Sequence, residues 1–402
     1  MISLQLYNTL SETKVELEIA NEFRMFVCGP TVQDNVHLGH AKTYLAFDVL
    51  ARWLLKSGRK VFFLLNITDV DDKIFDRAKK ENVPYTSIAD KFYNAFLEDL
   101  DALNIATVSK FARVSNYVDE SIDLVKGLLE SGKAYPLEGS VYFDTSKADH
   151  FGKLSHQSAL NLRLKQIDAA PGKKNSVDFL LWRVIPDATE GIWETGIGAG
   201  RPGWHIQDSA IAFTELQRPY DLHGGATELI FPHHEAELAQ DESISGSIPF
   251  VKIWMHTGLL LKGQEKMSKS LGNVVTIKES LKKFSPDIIR FHFLKHHYRE
   301  AFEYSPISLN ASKEGFQVIE DAARVFPRKE ISGNLDVQRS ANASKIYDEF
   351  SSQMNDDLNT PAAVSLLLDL SQRISKEGAS QEKHELGSLF WEIVETLGFT
   401  LS

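Results

Sequence analysis

The pattern of apolar and polar positions near the start of the chain predicts a strand, a turn and a helix. An apolar run over residues 25–28 breaks at Gly29-Pro30, and a helical pattern of apolar positions follows over residues 43–57. A second continuous apolar run, residues 61–66, is typical of a buried parallel strand. This order of strand, helix and strand is a βαβ unit, which predicts a doubly wound α/β domain with a parallel sheet.

Further along the chain the pattern changes twice. Residues 134–201 carry short strand-like runs and polar loops, which predict an insertion into the α/β domain. Apolar residues then recur at three- and four-residue spacing, and they predict a bundle with helices at 316–326, 344–355, 361–374 and 385–397. The predicted division is a Rossmann-type domain in two halves (1–115 and 204–308), the insertion (116–203) and the bundle (309–402).

Composition limits the class of protein. The 402 residues include 43% apolar and 25% charged residues, the balance of an ordinary globular chain. No apolar run reaches membrane-spanning length, and the N-terminus lacks a signal-peptide pattern, so we expect a cytoplasmic protein without membrane contact. The net charge of −11 argues against a general polyanion binder, although locally clustered basic residues allow a nucleic-acid partner. We expect a monomer.

Two histidines mark the start of the first predicted helix. His37 and His40 are three residues apart and therefore share one face of the first turn, where unpaired N–H groups and the helix dipole attract phosphate. Gly39 between them allows a bulky ligand to approach the backbone. Two capping or core histidines would give the same pattern, so this segment alone leaves both interpretations open.

A basic loop far downstream favours the phosphate interpretation. Residues 266–270 read Lys-Met-Ser-Lys-Ser, and their two lysines and two hydroxyls are groups that bind a triphosphate. Lys266 and Lys269 are the candidate phosphate ligands. A solvated basic loop is the alternative.

Three further features have a chemical and a structural interpretation. Cys28, the only cysteine, is either a metal ligand or reactive thiol beside the turn or a small buried hydrophobe. The carboxylates at 69, 71 and 72 form either a magnesium cluster or a helix N-cap. His233 and Glu237, four residues apart, form either half of a zinc site or a surface pair on a helix.

The motifs together resemble one family. His37-Leu38-Gly39-His40 and Lys266 to Ser270, in this order, are similar to the two nucleotide-binding signatures of class I aminoacyl-tRNA synthetases. The stretches at 28–34, 66–73, 201–209 and 223–237 narrow the resemblance to cysteinyl-tRNA synthetases. The resemblance covers nearly the whole chain, but the family usually carries a further small anticodon-binding module beyond the bundle. We therefore expect a short form.

The resemblance implies a role for each matching residue. It implies that Thr31, Thr68 and Trp204 line the amino-acid pocket, that Gly39 and His40 contact the nucleotide, and that Gly29 is a further substrate- or ATP-binding residue. The implied catalytic residues are His37, His40, Lys266 and Lys269. It implies further that Glu228 binds the ribose and that Lys266 and Lys269 bind the phosphates. ATP would enter with Mg²⁺. The implied zinc ligands are Cys28, Asp208, His233 and Glu237.

Position 208 is the main departure from the family, which has a second cysteine there. Zinc accepts thiolate, imidazole and carboxylate, so the four residues remain a plausible ligand set. A carboxylate in place of a thiolate should hold zinc less tightly and could admit another divalent ion.

The resemblance implies that the chain activates L-cysteine with ATP and transfers it to tRNA(Cys). In that family the substrate thiol coordinates the zinc, which separates cysteine from serine. The alternative is a related ligase that passes activated cysteine to a small amine, as in mycothiol-type biosynthesis. Charging of tRNA against ligation to an amine distinguishes the two.

Overall fold

A computed structural model describes residues 4–17, 22–186, 188–263, 265–267, 271–330, 339–376 and 381–401. The strands are β1 (Gln5–Asn8), β2 (Thr13–Glu16), β3 (Glu22–Val27), β4 (Lys60–Ile67), β5 (Lys110–Arg113), β6 (Ala134–Leu137), β7 (Ser140–Phe143), β8 (Phe179–Val184), β9 (Gly200–Pro202), β10 (Tyr220–Ala226), β11 (Val251–Thr257), β12 (Leu260–Lys262), β13 (Glu265–Lys266) and β14 (Phe302–Glu303). The helices are α1 (Leu38–Lys56), α2 (Asp72–Glu81), α3 (Tyr85–Ala102), α4 (Val118–Glu130), α5 (Ala159–Arg163), α6 (Trp204–Glu215), α7 (Glu235–Ser245), α8 (Ile277–Leu281), α9 (Pro286–Leu294), α10 (Pro306–Val325), α11 (Ala341–Asn355), α12 (Thr360–Lys376) and α13 (Gln381–Thr396).

The central feature is a parallel sheet with the strand order β11-β10-β3-β4-β5. Between β5 and β10 the chain forms a separate antiparallel sheet, β6-β7-β8-β9, and beyond the central sheet it continues as helices α10 to α13. These observations confirm the predicted fold class, a doubly wound parallel-sheet domain that is split by an insertion and followed by helices. Within the described residues, none of the helices has the length and apolar character needed to cross a bilayer.

The order of the strands reverses next to β3. The chain builds the sheet from β3 through β4 to β5 in one direction, and after the insertion it returns to the other side of β3 with β10 and β11. The carboxyl ends of β3 and β10 therefore flank a crevice, because the two strands are parallel with Val27 opposite Gly224. In open α/β sheets this switch point is where ligands bind. Cys28 directly follows β3 at this point.

Helix α1 begins at the two histidines that were predicted to mark its start, although the apolar pattern itself was assigned only from residue 43. The helix begins at Leu38, and His37 is its N-cap. The His37 ring accepts a hydrogen bond from the Gly39 N–H, and the His40 ring accepts one from the His37 N–H. The two imidazoles thus act as caps. Histidine is not among the preferred N-cap residues, so the propensity rules miss this start.

Helix α10, after the central sheet, also begins earlier than the apolar pattern predicted. Helix α10 begins at Pro306 and not at residue 316, because the Ser305 hydroxyl caps it and proline suits the first helical position. The last helices contact the parallel-sheet domain through Arg290 of α9, which is 1% exposed. Its guanidinium contacts Asp48 of α1 and donates to the Leu397 carbonyl oxygen beyond α13.

Candidate active site

A cavity of about 280 Å³ opens at the switch point of the sheet. It brings together predicted site residues from distant parts of the chain, namely Cys28, Gly29, Thr31, His37, Gly39, His40, Trp204, Glu228 and Lys266. The turn after β3, the first turn of α1, the start of α6, the segment after β10 and the β12–β13 hairpin each supply part of its wall.

The first turn of α1 forms one wall of the cavity. The rings of His37 and His40 lie 4.0 Å apart and both line the space, so capping and ligand contact are compatible here. A Cβ at Gly39 would lie 2.9 Å from the His37 ring, which explains the glycine. The positive end of the helix dipole faces the cavity and favours a bound anion.

The opposite wall carries the described part of the basic loop. Lys266 ends β13, and its ammonium lies 3.1 Å from the Glu228 carboxylate. Both side chains are about half exposed, whereas Met267 is buried and anchors the hairpin. The predicted phosphate ligand Lys269, together with Ser268 and Ser270, lies outside the described residues.

Thr68 does not line the cavity. It is buried behind the turn that carries Thr31, where its carbonyl oxygen accepts from the Val32 N–H at 3.1 Å and its N–H donates to the Pro30 carbonyl oxygen at 3.2 Å. The backbone of Thr68 therefore holds the turn in place. Among the residues predicted for the amino-acid pocket, Thr31 and Trp204 line the cavity, as does Gly29.

The four candidate metal ligands lie close together, and one of them, Cys28, lines the cavity. Asp208 Oδ2 is 3.4 Å from Cys28 Sγ and 3.0 Å from His233 Nε2. Glu237 Oε1 is 2.8 Å from the same His233 nitrogen. The four side chains come from β3, α6 and the segment entering α7, and all are buried.

Two histidines that the sequence did not single out also belong to this cluster. His234 Nε2 lies 3.1 Å from Cys28 Sγ, and the donor atoms of Cys28, His233, His234 and Glu237 all lie within 4.8 Å of one another. His223 Nε2 lies 3.5 Å from Cys28 Sγ and 3.1 Å from Glu237 Oε2. The sequence signal that could have identified His223 is its position in the buried strand β10, which ends at the switch point.

The charges of the cluster favour a cation at its centre. Burial raises the pKa of the Cys28 thiol above its ordinary value, and the Glu237 and Asp208 carboxyls add to this rise. Burial acts to lower the pKa of His233, but the same two carboxyls outweigh it and raise that pKa to about 10. Burial lowers the pKa of His205 to about 3. His233 Nδ1 lies within hydrogen-bonding distance of His205 Nδ1, 2.8 Å away, and His233 Nε2 faces the two carboxyls.

The Glu237 carboxylate gives a test of whether a metal fits. Its oxygens are buried and lie close to His233 and His223, yet among the described residues neither oxygen receives a well-directed hydrogen bond. A buried carboxylate without such a donor is costly. A divalent ion among thiol, imidazole and carboxylate donors would satisfy it, so the donor set fits zinc.

The acidic run at residues 69–72 serves three separate structural purposes. Asp69 binds Arg113 and Ser115, Asp71 caps α2 by accepting from the Lys73 N–H, and Asp72 pairs with Arg201 of the insertion sheet. The carboxylates do not converge, which supports the helix-cap interpretation.

Two family models match the chain. Residues 14–314 match the model described as "tRNA synthetases class I (C) catalytic domain", and residues 349–402 match the model described as "DALR domain". These matches cover the parallel-sheet domain with its insertion and the last helices.

Similar sequences and structures agree with these matches. A cysteine–tRNA ligase from Dehalococcoides mccartyi is 39% identical over 99% of this chain and 87% of its own length. One from Pyrococcus horikoshii is 39% identical over 99% of the chain and 86% of its own length. Among solved structures, Mycobacterium tuberculosis methionyl-tRNA synthetase in complex with methionyl-adenylate superimposes with a TM-score of 0.63 at 16% identity, covering 94% of this chain and 90% of that one. The likeness to this last structure concerns the fold alone.

Proposed function

The chain belongs to the cysteine–tRNA ligase family of class I aminoacyl-tRNA synthetases, and we propose how the residues of its cavity divide the work of that enzyme. The enzyme activates cysteine with ATP to cysteinyl-adenylate and then transfers the cysteinyl group to the 3′ end of tRNA(Cys). The observation that carries the assignment of residues is that one cavity is lined by Cys28 and also by His37, His40 and Lys266.

The nucleotide end of the cavity binds ATP with its Mg²⁺. His37 and His40 lie at the N-terminus of α1, so their rings and the helix dipole face the phosphates. The cysteine carboxylate attacks the α-phosphate and pyrophosphate leaves. Charge then builds on the phosphate oxygens, which makes positioning and charge stabilisation the main contributions of the protein.

Glu228 and Lys266 exchange partners when ATP binds. Their ion pair is half exposed, and such pairs contribute less than about 1 kcal/mol. The ribose hydroxyls can therefore replace the ammonium at the Glu228 carboxylate at small cost. Lys266 is then available to the phosphates, together with Lys269 of the same sequence motif.

The amino-acid end of the cavity selects cysteine. Gly29, Thr31 and Trp204 line it, and Trp204 stacks on the His233 ring with a centroid distance of 4.0 Å. This stacking holds the imidazole in place beside the substrate pocket. Thr68 contributes through its backbone, whose two hydrogen bonds hold the turn that carries Thr31.

Cys28, Asp208, His233 and Glu237 hold one zinc ion. The bound ion would supply a soft partner for the substrate sulfur, a contact that the hydroxyl of serine cannot match. The cation-favouring charge of the cluster and the unsatisfied Glu237 carboxylate support this assignment. Because Asp208 replaces a thiolate, we expect weaker zinc binding than in a two-cysteine site.

The acceptor is tRNA(Cys), and the helices after the parallel-sheet domain lie along its stem. The relatives described above are cysteine–tRNA ligases, and no described feature of the cavity favours a small amine as the acceptor. The expectation of a monomer stays a prediction.

The test uses the purified protein with tRNA(Cys), ATP, and cysteine or serine. We expect cysteine-dependent exchange of pyrophosphate into ATP, charging of tRNA(Cys), and about one zinc per chain. Removal of the metal with a chelator should abolish discrimination against serine, and added zinc should restore it. His233→Ala should lose the metal, whereas His150→Ala, at an exposed histidine of the insertion, should keep it.

Three results would contradict this proposal. Absence of cysteine-dependent pyrophosphate exchange would overturn the activity. Full discrimination by a metal-free protein would overturn the zinc site alone. Transfer of cysteine to a small amine without charging of tRNA would favour the alternative ligase.

A further inference from the structure

Asn66 is a buried residue at the end of β4 that contacts the candidate metal ligand Asp208. Its side-chain amide nitrogen donates to Asp208 Oδ1 at 2.6 Å, and its side-chain oxygen accepts from the Gly29 N–H at 2.5 Å. We propose that Asn66 is a positioning residue that turns Asp208 so that Oδ2 alone faces the metal. This inference rests on the metal site proposed above.

The two hydrogen bonds fix the orientation of the Asn66 amide. The Gly29 N–H can only donate, so it requires the amide oxygen and leaves the amide nitrogen for Asp208. Gly29 packs so closely on β4 that a Cβ there would lie 1.7 Å from the Asn66 carbonyl oxygen, so only glycine fits beside Asn66. Asn66 is thus a rigid bridge between the amino-acid pocket and Asp208.

A carboxylate ligand needs such a partner more than a thiolate does. A thiolate has one donor atom, whereas a carboxylate can bind through either oxygen or through both. The bond from Asn66 occupies Oδ1, and Oδ2 is the oxygen that lies 3.4 Å from Cys28 Sγ and 3.0 Å from His233 Nε2. Partners that orient ligands in this way typically contribute 10- to 100-fold to metal affinity.

The competing explanation is that Asn66 only shapes the turn at Gly29. The two roles differ in their dependence on residue 208. If Asn66 orients the carboxylate, its removal matters only while residue 208 is an aspartate. If it shapes the turn, its removal has the same effect with any residue at that position.

The experiment is a double-mutant cycle on the full chain with Asn66→Ala, Asp208→Cys and the combined variant. Zinc affinity is measured by competition with a chromophoric chelator, and coordination is read from the visible spectrum of the Co²⁺-loaded protein. We expect Asn66→Ala to weaken zinc binding 10- to 100-fold in the Asp208 protein and less than about threefold in the Asp208→Cys protein. The Co²⁺ spectrum should change only in the former.

Asn8→Ala is the matched control, because Asn8 is another buried asparagine that bonds Lys252 and Trp254 and does not contact the cluster. Asn66→Ser is measured in parallel, so that a folding defect of the alanine variant does not decide the result.

Equal losses of affinity in both backgrounds, or no loss in either, would overturn the role of Asn66. If the unaltered protein binds no metal, the proposed metal site fails first, and this outcome is distinguishable because only the two proteins that carry Asp208→Cys would then bind zinc.

Discussion

The Lys266 ammonium lies 3.1 Å from the Glu228 carboxylate and joins the β12–β13 hairpin to the segment after β10, and both residues line the cavity. The two residues come from segments that the sequence assigned to different parts of one ATP site. Their contact holds the β12–β13 hairpin, which carries Lys266, against the wall of the cavity.

Replacing Lys266 should slow the formation of cysteinyl-adenylate. We expect Lys266→Ala to reduce the rate of pyrophosphate exchange by about 10²–10³-fold, the usual cost of removing one donor from a developing oxyanion. The affinity for cysteine should change little, because Lys266 is assigned to the phosphates and not to the amino-acid pocket. Pyrophosphate exchange at varied ATP and cysteine concentrations separates the two effects.

Lys262→Ala is the control for this variant, since Lys262 is an exposed lysine on the same hairpin and does not line the cavity. A loss of similar size in both variants would mean that the hairpin needs positive charge in general and that Lys266 has no specific role.

Replacing Cys28 should remove the metal together with the preference for cysteine. The Cys28→Ser variant keeps the volume of the side chain but loses the sulfur donor, so we expect less than one-tenth of an equivalent of zinc and a fall in kcat/KM for cysteine of about 10²-fold. Metal content is measured by mass spectrometry of the purified protein.

Met25→Leu offers a matched control in the same strand, because Met25 is buried in the core and the exchange conserves volume. It should retain zinc and activity. A Cys28→Ser protein that binds zinc stoichiometrically would contradict the proposed ligand set.

Asp99 should make the stability of the protein depend on pH. Burial raises the pKa of this carboxyl on α3 to about 6, and its Oδ2 atom has no hydrogen-bond partner among the described residues. Because the folded pKa lies above the unfolded value, this group's favourable contribution is present at low pH and is lost as pH rises through about 6. Asp99→Asn should therefore stabilise the protein by about 1 kcal/mol at pH 8, after discounting for solvent screening, and by little at pH 4.

The measurement is thermal unfolding of both proteins from pH 4 to pH 8. Asp101→Asn removes an exposed charge from the same helix and serves as the comparison. A stabilisation of Asp99→Asn that is constant with pH would rule out this carboxyl as the cause.

Arg290 should be essential for the stability of the whole chain. Its guanidinium is buried against Asp48 and the carbonyl oxygens of Leu103 and Leu397, so Arg290→Met would leave the Asp48 carboxylate short of a partner. Loss of one member of a buried pair costs about 3–5 kcal/mol, which we expect in denaturant unfolding.

Arg324→Met, at an exposed arginine of α10, should cost less than about 1 kcal/mol. The double variant Asp48→Asn with Arg290→Met should be more stable than the sum of the single losses predicts, because both members of the pair are removed. Strict additivity would show that the two residues act independently.

The sequence predicted the fold class and nine of the residues that line the cavity. Continuous apolar strands and the two separated nucleotide signatures depend on local pattern, and local pattern was sufficient for β3, β4 and the placement of His37 and His40. The apolar pattern alone assigned α1 only from residue 43, later than its start at Leu38, because histidine caps lie outside the propensity rules.

The sequence could not reveal contacts between residues that are distant along the chain. His223 and His234 join the cluster only because β10 returns beside β3, and Asn66 meets Asp208 only because α6 packs against the end of β4. Likewise, Thr68 was assigned to the pocket by resemblance, but the turn at Thr31 covers it. Spacing alone does not contain these relationships.

The pairing of β3 with β10 has a consequence for biosynthesis of the protein. Strand β3 emerges from the ribosome before its neighbour β10 has been synthesised. The edge of β3 that pairs with β10 stays unpaired until about 220 residues of chain have been made. Apolar side chains such as Met25 are thus exposed on the nascent polypeptide for about 10–40 s at ordinary rates of synthesis. Chaperones have this interval in which to bind the incomplete sheet, and no substrate pocket exists before it ends.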